Sequence, residues 1–503
     1  MWPPMSDLTT RKWLIAGALA TAAVHVAMAI PNVETAVDDA FISARYAAHL
    51  ADGHGLVFSA GEPPVEGYTN LAWVVFLAFG LTIGAPIHQW MTWGGLAFGV
   101  LGIGLSFGLS RHLIGRDHPA ALIAPALLAL SPHYAVVVTN GLESALFIAS
   151  LLGAIWALLA TKGRWRLAAG CALGFLALVR PEGLVIGALA IAYDAWKRPR
   201  ELGFTAGPVL VTWASLESWR WFTYGAWVPN TFAAKSSLPL HKLLNVNLTY
   251  THLDGVYWYV PAVGLLVLPW IGARKLERFL LAGCALALVA IAWRVNLWMP
   301  GARLFVPAFA LVCCLTAAVI ADGGRARNAL GIAALAASLA IVPTKSHHFV
   351  RNYDRVHSVT SNNGAARAAS FLARNAPEGS WMAIRDAGVV AFWAGTKIRV
   401  AEMHNRALTL PHPDGRDTDL RTHVPPNPTI VVLTQARQNA KGVRYPGDRL
   451  VFQGLTEPYT YLGRVLQHHH RYYDIYVRKD AGMPPLPKKM VVNFEGPEPE
   501  LHK

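Results

Sequence analysis

The sequence predicts a polytopic α-helical membrane protein of about eleven transmembrane helices, followed by a C-terminal extracytoplasmic α/β domain. Three observations predict it. Of 503 residues, 54% are apolar and only 15% are charged, against roughly 25% charged in soluble domains. The apolar residues come in blocks of thirteen to twenty, separated by short polar stretches rich in Arg and Lys. Stacked membrane helices have this pattern and soluble cores do not. The basic residues also alternate along the chain in the way that orients membrane helices.

The spans read as 13–30, 91–110, 119–137, 145–160, 165–179, 183–195, 204–216, 256–271, 279–293, 303–320 and 328–343. With the N-terminus inside, the cytoplasmic connections and the N-terminal flank carry fifteen basic residues, Arg11, Lys12, Arg111, Arg116, Arg166 and Arg278 among them, and the far longer outer connections carry seven. That asymmetry requires the apolar segment 71–87 not to span. It is short, contains Gly80 and Gly84, and stops at Pro86, so a re-entrant or surface-lying helix on the outer side is expected. The first block follows Arg11 and Lys12 as a signal peptide would. However, no small-residue cleavage site precedes Asp38 and many spans follow, so it reads as a retained helix.

Residues 1–343 then form a transmembrane catalytic domain with a first outer loop at 31–90, and 344–482 an outer α/β domain. In that domain 365–375 is amphipathic, while 381–384, 398–401, 429–433 and 473–478 are strand-like. The Pro-rich, charged end at 483–503 is expected to be disordered. The net charge of +14 lies in short loops beside apolar blocks, with no basic stripe on a soluble module, which argues against a nucleic-acid partner. All four cysteines lie inside apolar blocks, so no disulfide framework or zinc cluster is encoded.

The candidate chemistry gathers in the predicted outer connections. Asp38 and Asp39, adjacent carboxylates directly after the first helix, suit removal of a proton from an acceptor hydroxyl; the plainer reading is an acidic N-cap for a helix starting at Ala40. Glu143 could likewise cap the fourth span. Arg180 and Glu182 break a helix pair whose first member, fifteen residues at 1.5 Å each, rises only about 22 Å against about 30 Å of hydrocarbon. Charges sunk there need a wet or paired cavity; the plainer reading is an ion pair holding the break. Asn230 and Lys235 end a long outer loop, and Arg303 opens the tenth span. An anionic donor head group needs cations, and an acceptor hydroxyl needs a carboxylate base.

These residues carry a family resemblance. Asp38-Asp39-Ala40-Phe41-Ile42-Ser43 with Arg45-Tyr46, then Gly53-His54-Gly55-Leu56-Val57-Phe58 and Val65-Glu66-Gly67-Tyr68-Thr69-Asn70, resemble the first loop of GT-C fold glycosyltransferases. Gly141-Leu142-Glu143-Ser144, Arg180-Pro181-Glu182-Gly183, Pro229-Asn230-Thr231-Phe232 with Lys235, and Trp298-Met299-Pro300-Gly301 with Arg303 extend the ordered match to about residue 310. The set is most similar to the mycobacterial terminal β-1,2-arabinofuranosyltransferases of cell-wall arabinan. Beyond it, only the placement of the outer domain and Asp386-Ala387-Gly388 match. Where such sequences carry Gly-Gly-Asp before Trp-Met-Pro, this chain has Val295-Asn296-Leu297.

The resemblance implies a multi-pass enzyme of the bacterial plasma (inner) membrane with an outward-facing site and a polyprenyl-phosphate sugar donor. It implies a glycan or lipid acceptor and an essential Asp at position 38 or 39. Arg45, Tyr46, Glu66, Tyr68, Asn70, Glu143, Arg180, Glu182, Asn230, Lys235 and Arg303 are the candidate donor phosphate- and sugar-binding set, with Arg180, Lys235 and Arg303 on the departing phosphate. A divalent cation could sit on Asp38 and Asp39, although spacing places no third ligand. His468, His469 and His470 resemble a metal tract but fall between two strand-like runs, as a polar turn would. The alternatives are a protein or lipid A glycosyltransferase of the same fold, a lipid or sugar transporter, which would show inverted repeats, and a non-catalytic envelope scaffold.

Overall fold

A computed structural model describes residues 7–33, 36–115, 117–231, 276–294, 303–322, 364–402, 427–436, 443–444, 458–468 and 471–491. In chain order its helices are α1 (Asp7–Ala29), α2 (Ala40–Ala51), α3 (Leu71–Thr82), α4 (Ile87–Ile114), α5 (Ile123–Ala129), α6 (Pro132–Thr139), α7 (Ser144–Ala160), α8 (Arg166–Val179), α9 (Glu182–Lys197), α10 (Leu202–Tyr224), α11 (Leu276–Arg294), α12 (Val306–Ala321), α13 (Gly364–Asn375) and α14 (Val389–Trp393). The strands are β1 (Trp381–Ile384), β2 (Arg399–Glu402), β3 (Ile430–Ala436), β4 (Val443–Arg444), β5 (Tyr459–His468) and β6 (Arg471–Arg478).

Each span drawn from the sequence within the described residues falls on a helix; 256–271 and 328–343 lie outside them. The segment drawn as 119–137 is not one helix. It is a pair, Pro119–Ala129 and Pro132–Thr139, bent by 61°, because Pro132 cannot continue the preceding turn and instead starts the next helix with Ser131 as its cap. By length and composition two helices among the described residues can cross a membrane, Thr10–Asn32 and Ile87–Ile114, with a third if the bent pair counts as one. α8 has 14 residues and rises about 21 Å, short of the hydrocarbon core as its sequence implied. α3, with 12 residues, is shorter still.

The chain divides into two compact units, residues Met1–Val33, Met91–Trp219 and Leu238–Asn352 in the first, and Glu34–Trp90, Arg220–Ser237 and Tyr353–Lys503 in the second. The first loop therefore belongs with the C-terminal α/β domain, not with the helical bundle to which its position in the chain assigned it.

In the helical unit, glycines let α4 approach its neighbours. A Cβ at Gly95 would run into the carbonyl oxygen of Val138, and one at Gly102 into the hydroxyl of Tyr134. Tyr134 in turn donates to the Gly99 carbonyl at 2.8 Å. Small residues of this kind replace the missing hydrophobic drive between membrane helices with close packing. α12 is buried on nearly every side, as an all-apolar central helix should be, and it packs on α5, α7 and α11. Two arginines counted among the inside-loop charges are buried instead. Arg166 pairs with Asp194, which also accepts from Thr205 Oγ1 at 2.6 Å. Arg278 pairs with Asp322. A desolvated guanidinium has to be compensated in this way.

In the second unit the sheet order is β2-β1-β3-β6-β5, with β4 pairing β3. β1 is parallel to β2 and β3, while β6 is antiparallel to β3 and β5. β5 was not read from the sequence. Gly463, at φ +145°, interrupts its alternation where the register shifts between Tyr461 and Gly463, a bulge that hides the period-two signal. The His468 end of β5 closes a hairpin onto Arg471, a turn as expected, with His469 and His470 outside the described residues. The expected disorder from 483 does not hold through 491. Leu486 is buried, Leu486 and Val491 lie over Gly463, and Lys488–Met490 forms a 3₁₀ turn; 492–503 lie outside the described residues.

Candidate functional site

In the second unit α2 begins at Ala40 with Asp39 in the N-cap position, but the Asp39 side chain makes no capping hydrogen bond. The first amides of the helix are met by backbone instead: Ala40 N–H donates to Val37 O, Phe41 to Asp38 O and Ile42 to Asp39 O, at 3.0–3.2 Å. The acidic-cap reading of the pair therefore does not hold. Both aspartates are half-buried at the start of an otherwise buried helix. Asp38 Oδ1 accepts from the Val389 N–H at 3.0 Å, and Gly388 lies directly against the same carboxylate. The Asp386-Ala387-Gly388 motif thus comes to the aspartate pair from 351 residues along the chain.

The remaining first-loop candidates are buried and partnered within the protein. Arg45 is 1% exposed and donates to four carbonyls: Phe58 at 2.7 Å, Gly395 at 3.0 Å, Ile398 at 2.7 Å, and Ala391. Burial pushes its guanidinium down to about 9. Tyr46 is fully buried, donates to Val65 O at 2.7 Å and accepts from Gly67 N–H at 3.0 Å. Glu66 pairs with Arg220 at 2.7 Å, and its carbonyl accepts from Asn230 N–H at 3.1 Å. The Tyr68 and Tyr224 hydroxyls meet at 3.0 Å, and the Asn70 amide donates to Ser43 Oγ at 3.1 Å. Buried polar groups must find partners, and here these groups brace the platform beneath Asp38 and Asp39. Arg220 and Tyr224 were missed from the sequence. The signal was a lone cation amid Trp219, Trp221 and Phe222 at the end of an apolar block.

His49 sits on the same helix, fully buried, with Nδ1 3.0 Å from the Arg45 carbonyl. Burial, with the Arg45 cation second, pushes it down to about 4. An unfolded histidine titrates near 6.5, so as pH falls the unfolded chain takes up the proton first. The stability this residue contributes is complete above about 6.5 and is lost between there and about 4. Lowering the pH from 7.5 to 5 is expected to cost this unit on the order of 2 kcal/mol, read as a fall in Tm, and His49→Gln is expected to flatten that dependence. An equal fall in Tm in the variant would assign it to other groups.

In the helical unit Arg180 pairs with Glu182 at 2.8 Å and with Glu143, and its guanidinium lies over Phe147. Glu143 does not cap α7; it serves Arg180 instead. Glu182, in the first turn of α9, also meets the positive end of that helix. The ion pair read from the sequence at the break is present. Arg180, Glu182, Arg303, Ser144 and Phe147 line a small cleft. In it Arg303 Nη1 is buried without a hydrogen-bond partner among the described residues. Lys235 lies outside the described residues. Among those described, no group of three or more His, Cys, Asp or Glu side chains is placed to hold a metal ion.

No family model and no curated protein matches the sequence. Solved structures do match. ArnT from Cupriavidus metallidurans bound to undecaprenyl phosphate superposes with a TM-score of 0.59 at 12% identity, over 94% of this chain and 99% of that one. The chain has the GT-C fold. The Archaeoglobus fulgidus oligosaccharyltransferase matches with a TM-score of 0.53 at 13% identity, over 77% of this chain and 64% of that one. The arabinofuranosyltransferase AftD from Mycobacteria matches with a TM-score of 0.52 at 16% identity, over 93% and 40%. The chain thus spans just under two thirds of the archaeal protein and two fifths of the mycobacterial one, but nearly all of ArnT. At these identities the GT-C likeness is one of fold.

Proposed function

We propose that this chain is a membrane glycosyltransferase that moves a sugar, arabinofuranose, from a polyprenyl-phosphate donor to a cell-envelope glycan at the outer face of the plasma membrane. About eleven helices would cross the membrane, with the first loop and the α/β domain outside. The observation that carries the reading is the aspartate pair: two adjacent half-buried carboxylates at the start of α2, with Asp38 aimed by Val389 N–H. Similar folds solved with undecaprenyl phosphate and with dolichol-phosphate support a lipid-phosphate donor.

In the reaction, Asp38 or Asp39 takes the proton of the acceptor hydroxyl as its oxygen bonds to the anomeric carbon. The bond from that carbon to the donor phosphate breaks, and the lipid phosphate departs with the electron pair. Purified protein given farnesyl-phosphoryl arabinofuranose and a synthetic arabinan oligosaccharide is expected to yield an acceptor one pentose heavier by mass spectrometry. Transfer of a different sugar, or to a peptide or lipid A supplied in the same panel, would overturn the donor or the acceptor alone. No transfer from any lipid-phosphate sugar would overturn the activity.

A further inference from the structure

We infer that the segment from Asp386 to Val389 of the α/β domain is a positioning element for Asp38, so that this domain completes the proton-accepting site. The inference rests on the activity proposed above. Two independent features of the segment act on one carboxylate. Val389 N–H, at the start of α14 where no helical carbonyl is available to it, donates to Asp38 Oδ1 at 3.0 Å. Gly388 occupies a place where a Cβ would collide with the carbonyl oxygen, Oδ2 and Cγ of Asp38. A methyl group there would press on both the backbone carbonyl and the carboxylate of Asp38.

The far side of the same segment is fixed by α2 itself. Arg45 holds the carbonyls of Ala391, Gly395 and Ile398, and Phe41 packs on Phe392 with ring centroids 5.7 Å apart. One turn of α2 therefore presents the aspartates while the next grips the element that orients them. With its position set from both sides, Asp38 keeps one rotamer without having to be buried. A misplacement of about 1 Å in a reacting group costs on the order of a hundredfold in rate.

Three variants test this. Gly388→Ala pushes on the carboxylate. Val389→Pro removes the donated N–H at the first position of a helix, where proline is tolerated, and the preceding glycine has no Cβ to meet the ring. Val390→Ala, one position beyond the segment, leaves the Val389 N–H in place and removes only buried apolar bulk. With farnesyl-phosphoryl arabinofuranose and the arabinan oligosaccharide, Gly388→Ala and Val389→Pro are expected to lose roughly tenfold to a hundredfold in kcat. KM for both substrates should be unchanged and the Tm of Val389→Pro close to wild type, while Val390→Ala keeps the wild-type kcat. Wild-type kcat in all three, or an equal loss in Val390→Ala and Val389→Pro, would overturn the positioning role and leave the proposed activity standing. A wild-type protein inactive with every lipid-phosphate sugar would remove the activity and this inference with it.

Discussion

Asp38→Asn and Asp39→Asn are expected to remove transfer with almost no change in stability. A positioned general base contributes about a hundredfold to ten-thousandfold, and the member of the pair that takes the acceptor proton should lose most of that. The change is nearly isosteric at both positions. At Asp38 the amide oxygen can still accept from Val389 N–H, now at 3.0 Å. At Asp39 no capping bond exists to be lost. Substitutions of this kind away from a core or a cap stay within about 0.5 kcal/mol, so Tm should hold. Steady-state rates beside melting curves separate the outcomes, and turnover near the wild-type value in both variants would end the assignment. The size of each loss also distinguishes the base from the neighbour that orients or stabilises it.

Arg45→Met is expected to do the reverse, destroying the fold of the second unit before chemistry is at issue. The guanidinium serves the carbonyls of Phe58, Ala391, Gly395 and Ile398. A buried carbonyl deprived of its donor costs about 1–3 kcal/mol, so even with partial relaxation the loss should exceed about 4 kcal/mol, beyond what most single substitutions produce. Against a total stability of about 5–15 kcal/mol for a typical domain, that is decisive. Arg45→Lys should recover little, because one ammonium on a flexible stem cannot reproduce a planar fork that bonds four separated acceptors. Limited proteolysis of the α/β domain and Tm are the measurements, and a Tm for Arg45→Met close to wild type would show that water replaces the clamp.

The contrast between Asp38 and Arg45, seven positions apart in one motif, shows what could be read in advance. Both stand in the resemblance as charged residues of one loop, and nothing in their spacing separates the proposed base from a group that faces carbonyls 346–353 residues away. The same holds for Arg180 and Arg303. Each precedes or opens an apolar block, but only the fold shows that two carboxylates occupy the first while the second keeps a buried Nη1 without a partner among the described residues. Arg220 and Tyr224 were passed over because their partners, Glu66 and Tyr68, lie more than 150 residues away.

Hydropathy, charge placement and ordered motifs are local in the chain, so the sequence by itself determined the membrane character, the helix positions, most strands of the α/β domain and the aspartate pair. The bend at Pro132, the bulged β5 and the union of the first loop with the C-terminal domain needed the tertiary structure. So did the division of motif residues into those buried among internal partners and those only half-buried. That division depends on which groups lose water together, and burial brings partners from opposite ends of a chain through contacts that no local pattern encodes.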